Sequence, residues 1–466
     1  MITEAVDRAR QAQSAWAAIP VRERAAIFRR FSKLVLARQT DILDTIQRET
    51  KKNRLSAFEE VLDAAQLTHY YGRHGASILK DRRRRGAVPV FTKTVEAHQP
   101  KGVVGVITPW NYPFTLPSSD VAPAVIAGNT VVLLPDHQTP ECADLMLQLM
   151  REAGLPDGVV TIVHGGGRMH GTQLIEQVDY VMFTGSTATG RLVAEQCAKR
   201  LIGFSGELGG KNPMLVLSDA DLTKAAQGAV RACFSNSGQL CVSVERIYVI
   251  APNYTRFVDL FAAHTQAMTL GDGLDWSIDM GPLISADQLK RVEAQVKDAV
   301  KKGATIVAGG RARPDIAPTF FEPTILTGVT DEMTLGRGET FGPVVAVYPV
   351  ASDAEAIARA NDTEFGLNAS VWSRHQGAQV AAQIRSGTVT VNEGYNASWA
   401  SHDAPMGGMK SSGLSRRHGR EGILKYTDAQ TIATQRGFGI APIGKQSNEA
   451  FAKMMSRLLG VWNRIS

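Results

Sequence analysis

The feature that most constrains the fold is a regular alternation of two hydrophobic patterns from residue 102 onward. Short runs rich in β-branched residues recur between segments of helical periodicity such as 143–153 and 188–199. This alternation predicts βαβ units that build a parallel sheet. Because such sheets bind ligands outside the carboxyl ends of their strands, we expect a ligand site there. Strands are predicted at 103–108, 130–134, 159–163, 180–183 and 214–217.

The remainder of the chain adds helices before this region and a second alternating region after it. Apolar residues recur at helical spacing in the first 80 residues, and Pro20 separates the first two helices. Residues 87–97 alternate and predict an extended arm or an edge strand. The second region predicts strands at 247–250 and 305–308, and helices at 255–268 and 286–302.

The composition is that of an ordinary globular protein, with 466 residues, 44% hydrophobic residues and a net charge of +6. No apolar run approaches the ~20 residues that span a bilayer, and the first residues lack the apolar core of a signal peptide. Four irregularly spaced cysteines predict neither a disulfide framework nor a metal site. We therefore expect a cytoplasmic protein without a metal.

One basic run, Lys80 with residues 82–85, admits two interpretations. It could bind nucleic acid or anionic lipid, or it could be the solvated end of a helix whose dipole the cations complement. No aromatic residues interleave with the arginines, so we favour the helix end and exclude nucleic-acid binding as the main function.

The C-terminal tail, 436–466, predicts an amphipathic helix with cationic positions at Lys453, Arg457 and Arg464. It could lie in a lipid interface as a peripheral membrane contact, or it could dock on the enzyme's own surface or on a partner subunit. We favour docking. The apolar face comprises Phe451, Met454, Met455, Leu458, Leu459, Trp462 and Ile465.

Several residues between the predicted elements carry chemistry. Glycine-rich turns at 163–167 and 183–186 follow strands, where backbone N–H groups can approach a phosphate. Cys241 ends a polar run containing Gly-Gln, Glu207 stands beside three glycines, and Asn111 lies in a rigid loop between two prolines. A thiol, a carboxylate and an amide of this kind can serve as nucleophile, base and oxyanion donor.

Taken in order, the motifs of this chain resemble those of the aldehyde dehydrogenase superfamily from about residue 5 to about residue 434. Within this superfamily, the sequence most resembles bacterial succinate-semialdehyde dehydrogenase-like members. The motifs are Pro109-Trp110-Asn111-Tyr112-Pro113, Gly128-Asn129-Thr130-Val131-Val132, Phe183-Thr184-Gly185-Ser186, Glu207-Leu208-Gly209-Gly210-Lys211, Gly238-Gln239-Leu240-Cys241, Glu339-Thr340-Phe341-Gly342-Pro343, and Pro405-Met406-Gly407-Gly408 with Lys410 and Ser412-Gly413.

The resemblance implies an α/β architecture: a doubly wound cofactor domain, an α/β catalytic domain and a small β oligomerisation arm that supports a homodimer or homotetramer. The expected boundaries are 1–84 and 98–207 for the cofactor-binding domain and 208–410 for the catalytic domain. The arm and return segment are expected at 85–97 and 411–435, followed by the tail at 436–466.

The resemblance also implies the chemistry of aldehyde oxidation. Cys241 is expected to attack the aldehyde carbon, and Asn111 with the Cys241 backbone N–H is expected to stabilise the resulting oxyanion. Glu207 is expected to activate the water that hydrolyses the thioester. Retention of Glu207 argues against transfer of the acyl group to coenzyme A, and retention of the full set argues against a catalytically silent binding protein.

NAD or NADP is the implied cofactor, and two departures from the family pattern leave the choice between them open. The usual lysine is Leu134, which removes an attraction for a 2′-phosphate, and the frequent glutamate is His137, which removes a repulsion. We therefore expect dual or weak preference. The expected cofactor residues are Thr108, Trp110, Leu134, His137, Gly167, Gly185, Ser186, Leu208, Glu339 and Phe341.

Two substrate classes remain open. Arginines grip the distal carboxylate in well-known succinate-semialdehyde enzymes, and serines at 119 and 235 occupy those positions here. Burying an unpaired carboxylate is costly. We therefore favour an apolar or aromatic aldehyde, with succinic semialdehyde as the alternative. The expected lining is Tyr112, Leu116, Phe234, Ser235, Leu240, Val242 and Tyr395.

Overall fold

The computed structural model describes residues 1–87, 91–436, 441–442 and 444–465, and these ranges build three sheets of six, seven and three strands. The predicted arm at 87–97 and the tail at 436–466 lie partly outside the described residues. Within the described ranges, no helix is long and apolar enough to cross a membrane.

The chain begins with four helices that cover the first sheet. Their apolar faces, which include Phe28, Phe31 and Val61, are fully buried together with strands of that sheet. The fourth helix reaches the active site, as described below. The helices are α1 (Ile2–Ala18), α2 (Val21–Ala37), α3 (Gln39–Thr50) and α4 (Arg54–Ile78).

The six-stranded sheet has the order β15-β7-β6-β3-β4-β5 and is parallel except for β15 at its edge. The order reverses between β6 and β3, which is the doubly wound arrangement predicted from the sequence. Strands and helices of this half are β3 (Val103–Thr108), α5 (Thr115–Ile126), β4 (Thr130–Pro135), α6 (Pro140–Glu152), β5 (Val160–Ile162), α7 (Gly167–Ile175), β6 (Tyr180–Thr184), α8 (Thr187–Lys199), β7 (Gly203–Glu207) and β15 (Gly413–Leu414).

The seven-stranded sheet has the order β10-β11-β12-β9-β8-β13-β14, and its β10–β11 pair is antiparallel. Its central strands β9, β8 and β13 are buried along their whole length, as expected where helices cover both faces of a parallel sheet, whereas the edge strands β10 and β14 are partly exposed. The elements are β8 (Asn212–Val216), α9 (Leu222–Phe234), β9 (Val244–Ile250), α10 (Ala251–Gln266), α11 (Ala286–Lys301), β10 (Thr305–Ala308), β11 (Thr324–Thr327), α12 (Thr334–Arg337), β12 (Val344–Val350), α13 (Asp353–Asn361), β13 (Asn368–Trp372), α14 (Gly377–Ala381), β14 (Thr388–Val391) and α15 (Asn396–Trp399).

The third sheet is a small antiparallel arm of β1 (Arg82–Arg84), β2 (Thr92–Pro100) and β16 (Thr427–Gln435). The helix-end interpretation of the basic run is wrong, because α4 ends at Ile78 and the arginines pair with β2 as an edge strand. Short, charged edges of this kind resist further strand pairing.

Two helices complete the chain, α16 (Gly419–Leu424) beneath α4 and α17 (Asn448–Ile465) in the tail. Met454, Leu458 and Leu459 of α17 are exposed. The side chains of Trp462, Arg464 and Ile465, which the amphipathic prediction also used, lie outside the described part of the chain.

Candidate active site

Cys241 lies in a tight loop between α9 and β9, where the chain crosses from the helix layer into the second sheet. Asn236, Ser237 and Gly238 before it adopt positive φ angles of 48°, 55° and 68°. A Cβ at Gly238 would overlap the carbonyl oxygen of Gly342, so only glycine permits this approach. Of the four free cysteines, Cys241 alone is partly exposed.

Asn111 follows β3, and the fold brings its side chain onto the cysteine loop. Its Nδ2 donates to the Gln239 carbonyl at 3.1 Å. One amide hydrogen is therefore committed to the protein, and the second is available for another acceptor. The Asn111 carbonyl accepts from Nδ2 of Asn236 at 3.1 Å, so the two loops are tied in both directions.

Glu207 ends β7 and is buried, and its Oε1 has no hydrogen-bond partner within the described residues. Burial raises the pKa of Glu207 to about 7, and the Arg417 and Lys425 charges oppose that rise. A carboxylate poised near neutrality is what a general base at physiological pH requires. Gly407 makes room for it, since a Cβ there would lie 2.9 Å from Oε1.

The surroundings of Cys241 favour the protonated form of its thiol. Burial raises its pKa to about 12, and the neighbouring carboxylates of Glu207 and Glu339 add to the rise. The thiolate is the reactive form of cysteine. Nucleophilic chemistry here therefore requires a group that removes the proton, and Glu207 is the near base.

An aromatic and apolar cluster surrounds Cys241. Its buried members are Tyr112, Leu240, Val242, Leu367, Tyr395 and Met406, and Cys241, Leu116 and Trp399 pack against it. The rings of Tyr112 and Trp399 meet edge to face at a centroid distance of 5.6 Å. Five of the seven predicted lining residues thus come together at the thiol.

The other two predicted lining residues lie elsewhere. Phe234 is fully buried in the catalytic-domain core, where its ring stacks on Phe261 at 5.9 Å, and it is absent from the cluster at Cys241. It also lines the cavity that Ser235 lines, so its place in the substrate pocket stays a prediction. Ser235 is half-buried and lines a cavity of about 300 Å³ together with Glu59 and Arg231.

Glu59 is a site residue that the sequence analysis missed. Its carboxylate accepts hydrogen bonds from the hydroxyls of Tyr112 at 3.2 Å and Tyr395 at 3.0 Å, and from the Arg231 guanidinium at 3.0 Å. Burial raises the pKa of Glu59, and Arg231 opposes that rise. The only available signal was a group of three carboxylates, Glu59, Glu60 and Asp63, within the stretch that forms α4.

Several predicted cofactor residues lie where β6 meets α8. Gly185 and Ser186 make the turn, and Ser186 Oγ caps α8 by accepting from the Thr189 N–H at 3.2 Å. The positive end of a 13-residue helix therefore lies at the carboxyl end of a central strand, as an anion site requires. Thr108 ends β3 and is buried, and Gly167 opens α7 with no atom within 4 Å of the position that a Cβ would take.

A second group of predicted cofactor residues lies near Cys241. Glu339 Oε1 accepts from the Gly210 N–H at 2.8 Å, and burial raises the Glu339 pKa to about 7. Phe341 meets Trp110 edge to face at 5.6 Å. The Leu208 N–H donates to the Ser412 carbonyl at 2.9 Å, which joins β7 to the C-terminal motif.

Leu134 and His137 differ in their surroundings. Leu134 is 1% exposed in a hydrophobic cluster, so its side chain belongs to the core, and its predicted contact with the cofactor stays a prediction. His137 is exposed after β4, with Nδ1 at 3.4 Å from Asp136.

The described residues include one group that could hold a metal ion, Asp63, His402 and His418. Asp63 already accepts from His402 at 2.9 Å and from the Thr115 hydroxyl at 2.5 Å. The absence of a metal stays a prediction.

Comparisons with known proteins agree with this geometry. The family described as "Aldehyde dehydrogenase family" matches residues 1–432. A "Putative succinate-semialdehyde dehydrogenase [NADP(+)]" of Mycolicibacterium smegmatis is 53% identical over 460 residues, covering 98% of this chain and 89% of that protein.

Two solved structures share the fold along nearly the whole chain. An NADP-dependent enzyme of E. coli has a TM-score of 0.89 and 36% identity, covering 93% of this chain and 90% of that one. An NAD-dependent aldehyde dehydrogenase of Sinorhizobium meliloti has a TM-score of 0.91 and 33% identity, covering 95% and 88%. The chain therefore belongs to the aldehyde dehydrogenase family and is an aldehyde-oxidising enzyme.

Proposed function

We propose that this enzyme converts aldehydes with an apolar or aromatic chain into carboxylic acids, with NAD or NADP as the electron acceptor. The observation that carries the proposal is the cluster at Cys241, in which tyrosines, leucines and a tryptophan surround the thiol. Such a lining favours burial of an apolar chain, and Arg231, the cation at the cavity beside it, is already paired with Glu59 at 3.0 Å.

In the first step, Glu207 removes the thiol proton and Cys241 Sγ bonds to the aldehyde carbon. The carbonyl π electrons move onto oxygen, and the resulting oxyanion accepts hydrogen bonds from Asn111 Nδ2 and the Cys241 N–H. The Gln239 carbonyl supports this role because it already fixes one hydrogen of the Asn111 amide.

The cofactor residues fit a nicotinamide dinucleotide. Gly209 forms a cradle, since a Cβ there would lie 2.6 Å from Glu339 Oε2, and Glu339 would hold the ribose beside the nicotinamide. Ser186 and the first N–H groups of α8 would hold the pyrophosphate. When bound, the dinucleotide supplies the ring that accepts hydride from the substrate carbon, leaving an acyl thioester on Cys241.

Before the second step, Glu207 releases the thiol proton to solvent. It then accepts a proton from water, whose oxygen attacks the thioester carbon. Collapse of the second oxyanion breaks the C–S bond and releases the carboxylic acid, and the Cys241 thiolate takes up the proton that Glu207 holds. A base with a pKa of about 7 is substantially ionised at neutral pH and still retains basicity.

Succinic semialdehyde is the second candidate. The Mycolicibacterium relative carries that name, and a half-exposed Arg231 stands with Ser235 at the cavity beside the tyrosines. To bind a carboxylate, Arg231 would have to share its charge with Glu59, to which it is already paired at 3.0 Å. That competition is why we place this substrate second.

The test is ultraviolet absorbance of the reduced cofactor with octanal, benzaldehyde and succinic semialdehyde, each with NAD and NADP. We expect turnover of the first two aldehydes, abolished in Cys241→Ala and retained in the matched control Cys233→Ala. Turnover of succinic semialdehyde alone would replace the apolar assignment with the second candidate. Activity that survives in Cys241→Ala would refute the mechanism.

A further inference from the structure

Lys52 is a buried cation between α3 and α4, far in sequence from every residue of the proposed mechanism. Its side chain is 0% exposed, and Nζ lies 2.8 Å from Glu60 Oε1, which is also 0% exposed. Nζ donates to the Asn111 carbonyl at 2.6 Å and lies 3.9 Å from the centre of the Tyr112 ring. A carboxylate, a carbonyl and an aromatic face thus share the three ammonium hydrogens.

Glu60 binds the other end of the same loop. Its Oε2 accepts from the backbone N–H groups of Phe114 at 2.9 Å and Thr115 at 3.1 Å. The ion pair therefore holds the loop through hydrogen bonds at two places, the Asn111 carbonyl and the start of α5. Charge-assisted hydrogen bonds in a dry interior hold geometry more firmly than neutral ones.

The segment that carries Lys52 also contacts the cysteine loop and its surroundings. Ser56 Oγ accepts from the Asn236 N–H at 3.0 Å, and Asn53 Nδ2 donates to the Ile278 carbonyl at 3.1 Å. Ser237 Oγ donates to the Gly281 carbonyl at 2.7 Å, and Gly281 packs on the backbone of this segment. The short segment from residue 51 to residue 56 thus contacts both the Asn111 loop and the Cys241 loop.

We propose that the Lys52–Glu60 pair is a positioning device that holds the Asn111 amide at the oxyanion site, and this inference rests on the proposed function. Lys52 fixes the peptide plane between Asn111 and Tyr112 through the carbonyl, while the side-chain amide of Asn111 stays directed at the cysteine loop. Oxyanion stabilisation depends on donors placed before charge develops, so a loosened Asn111 loses part of its effect.

The test is a double-mutant cycle between Lys52→Met and Asn111→Ala. Because removal of a single oxyanion donor typically costs about 100- to 1000-fold in kcat, we expect Asn111→Ala to lose activity in that range and Lys52→Met to lose about 10- to 100-fold. In the Asn111→Ala background, Lys52→Met should change kcat by less than about twofold, since the positioned group is gone.

Arg24→Met is the matched control. Arg24 is also a buried cation that donates to backbone carbonyls, including that of Ile126 at 3.0 Å, at the opposite end of α5. It should lower thermal stability but leave kcat within about twofold, and its effect should be the same with and without the Asn111 amide. Fluorescence titration with the reduced cofactor should give an unchanged affinity for Lys52→Met.

An equal kcat loss from Lys52→Met in both backgrounds would overturn the proposal and assign Lys52 to general stability. If Lys52→Met does not fold, Glu60→Gln serves in the same cycle, because it removes the counter-charge and keeps the size of the side chain. Full activity of Asn111→Ala would instead refute the proposed function, so the two failures are distinguishable.

Discussion

Replacement of Glu207 by Gln should abolish turnover and, at alkaline pH, stabilise the protein. Burial raises the pKa of Glu207 from 4.5 to about 7. Between these values the folded protein holds a proton that the unfolded chain releases, so stability falls as pH rises through this window. The shift of roughly 2.5 units corresponds to about 3 kcal/mol lost above pH 7.

The neutral amide of a glutamine at position 207 does not ionise, so it causes no loss of stability as the pH rises. The stability advantage of Glu207→Gln over the wild type should therefore be about 3 kcal/mol at pH 8 and should shrink below about 1 kcal/mol at pH 5. The matched control is Gln288→Glu, which introduces a carboxylate at another buried position without touching β7. Chemical denaturation at the two pH values measures the difference directly.

The kinetics of the same Glu207→Gln variant test the proposed role of Glu207 in catalysis. Rapid mixing with aldehyde and cofactor should show slow thioester accumulation without steady-state turnover, because water is no longer activated. The wild-type rate should rise with pH through an apparent pKa of about 7, since the ionised base is the active form. A stability advantage of Glu207→Gln that does not change with pH would refute the raised pKa of Glu207. Retained steady-state turnover would refute its role as the base.

Three further changes probe other parts of the site. Gly209→Ala places a methyl group against Glu339 and should weaken cofactor affinity at least tenfold in a fluorescence titration; unchanged affinity would remove Glu339 from the cofactor site. Arg417→Met breaks a buried pair with Asp120 and should cost about 3–5 kcal/mol in denaturation experiments. The substitution should also raise the apparent pKa of the pH–rate profile, because the Arg417 charge lowers the pKa of Glu207. A fall in that apparent pKa would contradict this account. Truncation before α17 should leave kcat unchanged, and loss of vesicle binding in a sedimentation assay would favour the lipid interpretation of the tail over docking.

The runs of β-branched residues in the sequence predicted the ends of most strands in the six-stranded sheet to within one or two residues. The region 103–108 is a strand over those same residues, and 130–134 extends by one residue to Pro135. β7 was missed because Gly-Phe-Ser-Gly-Glu lacks β-branched residues, and it forms through pairing with β6. The arginines of β1 were assigned to a helix end because strand pairing with β2 depends on contacts distant in sequence.

The candidate site was predictable where motifs mark it and unpredictable where tertiary contacts complete it. Asn111, Glu207 and Cys241 stand in recognisable motifs. Lys52 and Glu60 show no such signal, since a lysine and a glutamate before and within a helix ordinarily lie in solvent. Phe234 packs in the core of the second sheet and also lines the cavity beside Ser235, a double position that its proximity to the cysteine motif in sequence does not reveal.

β15 determines when the active site can form during synthesis. Gly413 of this strand pairs with Glu207, so residues made more than two hundred positions later close the sheet edge that carries the base. N-terminal units generally fold first on the ribosome. A nascent chain can therefore assemble the parallel sheet and the cysteine loop while the base remains at an open edge. If Glu207 is the base that we propose, hydrolysis of the thioester would wait until β15 is made, and a chain released before that point would lack this step.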